Sequence, residues 1–213
     1  MNLNEYQRLA LRTSGAGHDR VKNGCLGLIG ESGEIVDIVK KYMFQSGENP
    51  PFPKDKFIKE MGDVLWYCAE TVSGMELELE EVTLRTGSYD KYSLFAAWNC
   101  ADIELTAAML SANAVEAYVS CFVEGDAVRC AYRVRDIYKG LLHLCDLVGT
   151  TIDEVADTNI EKLKKPMDRM FLALQALHPL RPEETLGLRW MDIDLDALKI
   201  HVRHSVTHPD RNQ

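Results

Sequence analysis

The sequence predicts an all-α protein that ends in a short mixed α/β tail, and three features carry that expectation. Apolar residues recur with a helical period from Tyr6 to about residue 165. Sustained apolar/polar alternation, the mark of a half-buried strand, does not occur before about residue 190. Turn-forming clusters separate the helical stretches, most plainly Ser46-Gly47-Glu48-Asn49-Pro50-Pro51-Phe52-Pro53.

Taken in order, Asn4 is a suitable N-cap for a first helix whose buried stripe is Tyr6, Leu9, Ala10 and Leu11, and Gly15-Ala16-Gly17 ends it. A second helix is expected from about Asn23 to Phe44, and a third follows the proline-rich loop to about Val72. From Met75 the pattern stays helical with a break near Gly87-Ser88, and helices are expected over Asp90–Ser111, Ala114–Phe122 and Asp126–Val148. Thr151 caps a helix from Ile152 to Lys165, with Asp153 and Glu154 in its first turn and Lys162, Lys164 and Lys165 in its last, matching the helix dipole. Beyond Met170, Leu172–Trp190 reads as helix, turn, helix, and Leu198-Lys199-Ile200-His201-Val202 as a short strand. An internal echo runs through this order. Asp63-Val64-Leu65 to Glu81-Val82 repeats as Asp136-Ile137-Tyr138 to Glu154-Val155 at a constant spacing, with Arg133 at the position of Glu60. As a duplication, it would leave the second copy a packing partner without acidic ligands, so that one chain imitates a two-subunit bundle.

Two acidic stretches stand out: Gly30-Glu31-Ser32-Gly33-Glu34 and Lys59-Glu60-Met61-Gly62-Asp63. Each sets two carboxylates three residues apart, on the border of an apolar helical face. At about 100° per residue, Glu34, Ile38 and Lys41 fall within about 80° of Glu31, and Asp63 and Tyr67 fall on the side of Glu60. The loop between the helices lets them fold back antiparallel and bring the four carboxylates level. Like charges so close repel unless a cation sits among them, and an all-oxygen set suits Mg²⁺, with Mn²⁺ as a substitute. Gly33 and Gly62, where helix propensity disfavours glycine, would let a neighbouring helix or a phosphate come close.

A formal net charge of −9 argues against a nucleic-acid binder, whose affinity rests on Lys and Arg meeting phosphates. An acidic protein that handles a polyphosphate needs a metal as intermediary. The six cysteines contain no C-x-x-C pair and read as reduced core residues. The N-terminus has no basic region leading into an apolar one, and no run approaches about eighteen apolar residues, so a cytoplasmic chain with no membrane partner is expected.

In these blocks, and in Asn159-Ile160-Glu161-Lys162-Leu163-Lys164-Lys165, the chain resembles the MazG-like nucleotide pyrophosphohydrolases of the all-α NTP pyrophosphatase superfamily. The resemblance implies a MazG-like helical bundle over residues 1–168, with about 83–140 an inserted or degenerate repeat. It implies Mg²⁺ on Glu31, Glu34, Glu60 and Asp63, and hydrolysis of a nucleoside triphosphate, a dNTP, to the monophosphate and pyrophosphate in nucleotide-pool house-cleaning. Asn159 and Lys162 match the family's closing motif, associated with substrate phosphates or sugar. A homodimer is implied unless the internal repeat replaces the second subunit. The chain departs from the family in the helices of about 83–140 and in Pro166-Met167-Asp168, which replaces an Arg-Tyr-Pro-like end. Residues 169–213 resemble the opening of a tyrosine recombinase catalytic domain, with Arg181 at the phosphate-contacting position, but the remaining catalytic boxes do not follow. That tail is read as a truncated fragment.

For the chemistry, Glu34 is the candidate general base, and Lys41 and Tyr67 are candidate contacts for phosphate or sugar. Trp66, Trp98 and Tyr6 could stack on a base, although aromatic residues in helices are more often core. His18 and His143 stand alone in the sequence. Asp192, Asp194 and Asp196 do not complete a calcium loop, and His201, His204 and His208 lie in a tail that does not preorganise them. The alternative to an enzyme is a non-catalytic nucleotide- or protein-binding helical module.

Overall fold

The computed structural model describes residues 1–15, 17–47, 50–85, 102–177, 193–194 and 199–201, with side chains described up to residue 164 and at 201. The described residues are predominantly helical. They form α1 (Leu3–Ala10), a 3-10 turn (Leu11–Thr13), α2 (Arg20–Gln45), α3 (Lys54–Gly74), α4 (Leu79–Thr83), α5 (Ile103–Phe122), α6 (Ala127–Val148) and α7 (Ile152–Leu177). A two-residue hairpin, β1 (Ile193–Asp194) and β2 (Lys199–Ile200), pairs antiparallel with Ile193 opposite Ile200. The chain divides into two compact units, Met1–Glu161 and Lys162–Gln213.

The first unit is built on two helix pairs. Packing joins α2 to α3, α5 to α6, α2 to α5 and α3 to α6. Leu28, Ile35, Met61, Leu65, Leu110, Ile137, Leu141 and Leu144 are fully buried. The pairs share one layout. Buried Gly24, Cys25, Leu28, Ser32, Ile35 and Ile38 of α2 recur, at one constant spacing, as buried Thr106, Ala107, Leu110, Ala114, Ala117 and Ser120 of α5. Likewise a left-handed residue follows each of α3 and α6, Glu76 at φ 59° just past the Met75 cap and Gly149 at φ 63°. By these spacings, Asn113 and Glu116 answer to Glu31 and Glu34, and Arg133 and Asp136 to Glu60 and Asp63.

Glycines set the approach of α2 to α3, though not the ones the sequence singled out. A Cβ on Gly24 would lie 2.7 Å from the Thr71 backbone nitrogen, and one on Gly27 would lie 2.1 Å from the Tyr67 ring. Gly33 meets nothing within 4 Å, and Gly62 instead admits α7, where Asn159 Cβ would be 2.9 Å away. Gly24→Ala is therefore expected to destabilise by about 2 kcal/mol or more, because the Thr71 backbone cannot give way. Gly33→Ala should stabilise by up to about 1 kcal/mol, because it gains helix propensity without a clash. Urea unfolding followed by circular dichroism measures both, and opposite signs are expected.

Other boundaries also differ from the sequence expectation. Asn2, not Asn4, caps α1, accepting from the Glu5 N–H at 2.7 Å. Asn4 reaches forward to the Glu80 N–H, and buried Gln7 bonds the Leu77 carbonyl and the Leu79 N–H, so α1 fixes the start of α4. No break falls between Ser111 and Ala114, because Asn113 turns its amide onto the Met109 carbonyl one turn back and stays within α5. By length and composition α5 could cross a membrane, but it is packed against α2 and α6. Thr151 caps α7 as expected, in a reciprocal pair with Glu154. That helix runs on through Pro166, which forfeits one backbone bond but sits between good helix-forming stretches. The expected Gly87-Ser88 break, residues 90–101 and the Arg181 stretch lie outside the described residues.

The described cysteines fit a reduced core, and Cys100 lies outside the described residues. Cys25, Cys68, Cys130 and Cys145 are buried and free, and Cys121 is partly buried and free. Burial pushes the Cys145 thiol up to about 12. Cys25 and Cys130 stand with sulfurs 3.9 Å apart, joining α2 to α6.

Candidate metal centre

Where α2 crosses α3, Gly24 lies against Thr71 and Gly27 against Tyr67. Continuing that antiparallel register by one turn brings Glu31 level with Asp63 and Glu60. Among the described residues, carboxylate oxygens of Glu31, Glu60 and Asp63 lie within 4.8 Å of one another. All three side chains are half-buried. Three acids so close disfavour one another, and their hard oxygen donors match a small divalent cation. The residues present therefore fit Mg²⁺ or Mn²⁺. Glu34 does not join them, being exposed one turn further along α2. The 100° helical step turns Glu34 about 60° away from Glu31, off the seam with α3 and toward solvent.

Asp63 is positioned from beneath. Asn159, 1% exposed, donates from Nδ2 to Asp63 Oδ1 at 3.2 Å and accepts at Oδ1 from the Tyr6 hydroxyl at 2.8 Å. Burial, followed by Cys68 and Asp63, pushes the Tyr6 phenol well above its usual range, so it stays a donor. A donor on that side fixes the amide's orientation, leaving the Asn159 NH₂ for the carboxylate. Gly62, beside Asp63 on α3, leaves room for Asn159. Asn159, expected from its motif to touch substrate, is here a buried residue that orients Asp63. Tyr6 is core.

The remaining candidates sit as follows. Lys41 forms an ion pair with Asp37, which also receives Lys40. The hydrogen bond from Lys40, then that from Lys41, holds the Asp37 carboxyl at about 2. Tyr67 lays its ring over Gly27 and meets Trp66 edge to face at 4.8 Å, and Trp66 donates to the Ala10 carbonyl. Lys162 follows Asn159 by three residues in α7, is exposed, and belongs to the second unit. Trp98 lies outside the described residues.

Sequence reasoning missed a buried acid. Glu70, fully buried on α3, accepts at Oε1 from the Ser14 hydroxyl at 2.9 Å, and His18 Nε2 stands 2.8 Å from the same oxygen. His18 thus has a partner, contrary to its isolation in the sequence. The available signal was the spacing of Glu70 from Asp63, two turns along the same helix face.

The second helix pair treats the same positions differently. Asp136 and Arg135 are 1% and 0% exposed, and Arg135 binds Asp136 through Nε at 3.1 Å and Nη2 at 2.7 Å. Arg133 reaches Asp136 at 3.4 Å and Glu116 at 3.9 Å. A guanidinium fills the place that Glu60 occupies in the first pair, so this copy neutralises its own acids.

No family model and no solved structure matches the chain. A curated protein that it resembles is the Gene 37 protein of Mycobacterium phage L5, 38% identical over 61 residues, which are 28% of this chain and 54% of that protein. The chain thus spans about half the length of the curated relative it matches.

Proposed function

We propose that the protein is a Mg²⁺-dependent nucleoside triphosphate pyrophosphohydrolase of the MazG-like kind, acting on a dNTP in the cytoplasm and releasing the monophosphate and pyrophosphate. The observation that carries this reading is the convergence of Glu31, Glu60 and Asp63 within 4.8 Å at the seam of α2 and α3. These three would hold Mg²⁺, or Mn²⁺ in its place, and the ion would supply charge neutralisation for the triphosphate and a bound water of lowered pKa. Asn159 keeps Asp63 aimed at the site. Glu34, outside the triad and open to solvent, is the carboxylate assigned to accept the proton of the attacking water. Lys41 is tied to Asp37 by an exposed, solvent-screened pair, so a phosphate can compete for it.

The arginine-filled second pair supports the echo as a duplication. In this reading α5 and α6 serve as packing partners for α2 and α3, a role that a second subunit fills in a two-chain bundle. The MazG-like bundle and the recombinase-like tail rest on the sequence resemblance.

Each dNTP incubated with Mg²⁺ tests the reading through the pyrophosphate released. At least one is expected to yield stoichiometric monophosphate and pyrophosphate. Release from none would leave a non-catalytic binding module.

A further inference from the structure

We infer that Glu70 reads the base of the nucleotide and selects bases that carry an exocyclic amino group, an inference that rests on the pyrophosphohydrolase reading above. Its starting point is an unsatisfied group. Ser14 and His18 both engage Glu70 Oε1, while Oε2 is enclosed and has no hydrogen-bond partner. A buried acceptor left without a donor is destabilising, and a ligand N–H that met it would recover that loss.

The position suits a nucleotide. Glu70 follows Asp63 by seven residues, two turns that bring it back to nearly the same side of α3 about 10 Å further on. That rise is comparable to the distance from a nucleoside's 5′ oxygen to the far edge of its base. Trp66 and Tyr67, packed edge to face and both only partly buried, occupy the intervening turns. Beyond Glu70, Ser14 and His18 both meet its Oε1. The His18 side chain is 34% exposed and Glu70 is not exposed at all, so the imidazole is the solvent-facing partner of the acid. With triphosphate oxygens at the Glu31, Glu60 and Asp63 end, the base edge falls at the Glu70 end.

The chemistry then fixes the class of base. An ionised carboxylate only accepts hydrogen bonds. Cytosine, adenine and guanine present an exocyclic NH₂ that a carboxylate can take, as Glu and Asp take the cytosine amino group in base readout. Uracil and hypoxanthine place a carbonyl oxygen where cytosine and adenine carry the amino group, so that two acceptors would face one another at Oε2.

The test measures binding of nucleotides whose α–β bridging oxygen is replaced by NH, by calorimetry in Mg²⁺, so that recognition is read apart from hydrolysis. Two pairs differ only in amino against oxo: the dCTP and dUTP analogues, and the dATP and dITP analogues. In the wild type, at least one amino analogue is expected to bind about 10–100-fold more tightly than its oxo partner. Glu70→Gln, an isosteric change whose amide can donate to a carbonyl, should bring that ratio to near one or invert it. His18→Ala, which leaves the carboxylate in place but frees Oε1, should lower the ratio less. Equal binding within both pairs, no binding of any analogue, or a preference unchanged in Glu70→Gln would overturn the inference. Loss of pyrophosphate release with the preference intact would instead count against the hydrolase reading alone.

Discussion

Glu60→Gln is expected to lower pyrophosphate release by about a thousandfold or more while leaving the fold intact. The change keeps the side chain's shape and removes one of the three charges gathered at the seam of α2 and α3. A metal's stabilisation of phosphate charge is worth several kcal/mol, and about 4 kcal/mol of lost transition-state stabilisation corresponds to about three orders of magnitude in rate. Removing one of three clustered like charges also relieves repulsion, so the metal-free variant should melt no lower than the metal-free wild type. Mg²⁺ should raise the melting temperature of the wild type and have little effect on the variant, because only a form that binds the ion is stabilised by it. Thermal melts with EDTA and with Mg²⁺, alongside kcat/KM for the best dNTP, check both halves. An unchanged rate in Glu60→Gln would remove this acid from the mechanism.

The second large effect concerns the answering position in the other helix pair. Asp136→Ala is expected to cost about 3–5 kcal/mol of stability, because it leaves the fully buried Arg135 guanidinium without the carboxylate that accepts from its Nε and Nη2. Arg135 also donates to the Arg85 carbonyl, which carries no charge to set against the guanidinium. Asp63→Ala should cost less, since that carboxylate is half-buried among like charges and its loss takes an acceptor from a neutral amide, Asn159, rather than from a buried guanidinium. Denaturant unfolding of the two variants side by side makes the comparison. Similar losses in both would mean that the two pairs do not divide into an acidic site and a neutralised copy.

How much of this was legible in the sequence depends on which contacts are local. The Glu31, Glu60 and Asp63 grouping could be read because i, i+3 spacing fixes a helix face, and one loop fixes which helices meet. Glu34 was misplaced within it because helical spacing does not say which edge of α2 meets α3. That edge is set by Gly24 and Gly27, whose contacts with Thr71 and Tyr67 are tertiary. Thr151 was found because a cap is a four-residue pattern. The break expected between Ser111 and Ala114 does not occur, because Asn113 turns its amide back onto Met109 within one continuous helix. Pro166 was taken as a helix end, yet α7 continues, because one lost bond does not outweigh the helix on either side. Glu70 could not be found with its partners, because Ser14 and His18 reach it across more than fifty residues of chain.

The most direct test of the account is Mn²⁺ binding, counted by electron paramagnetic resonance on the wild type and on the Glu31→Gln/Glu60→Gln/Asp63→Asn variant. The account predicts at least one Mn²⁺ held by the wild type, displaced by excess Mg²⁺, and none held by the variant at the same concentrations. Equal Mn²⁺ occupancy in the two proteins would contradict it.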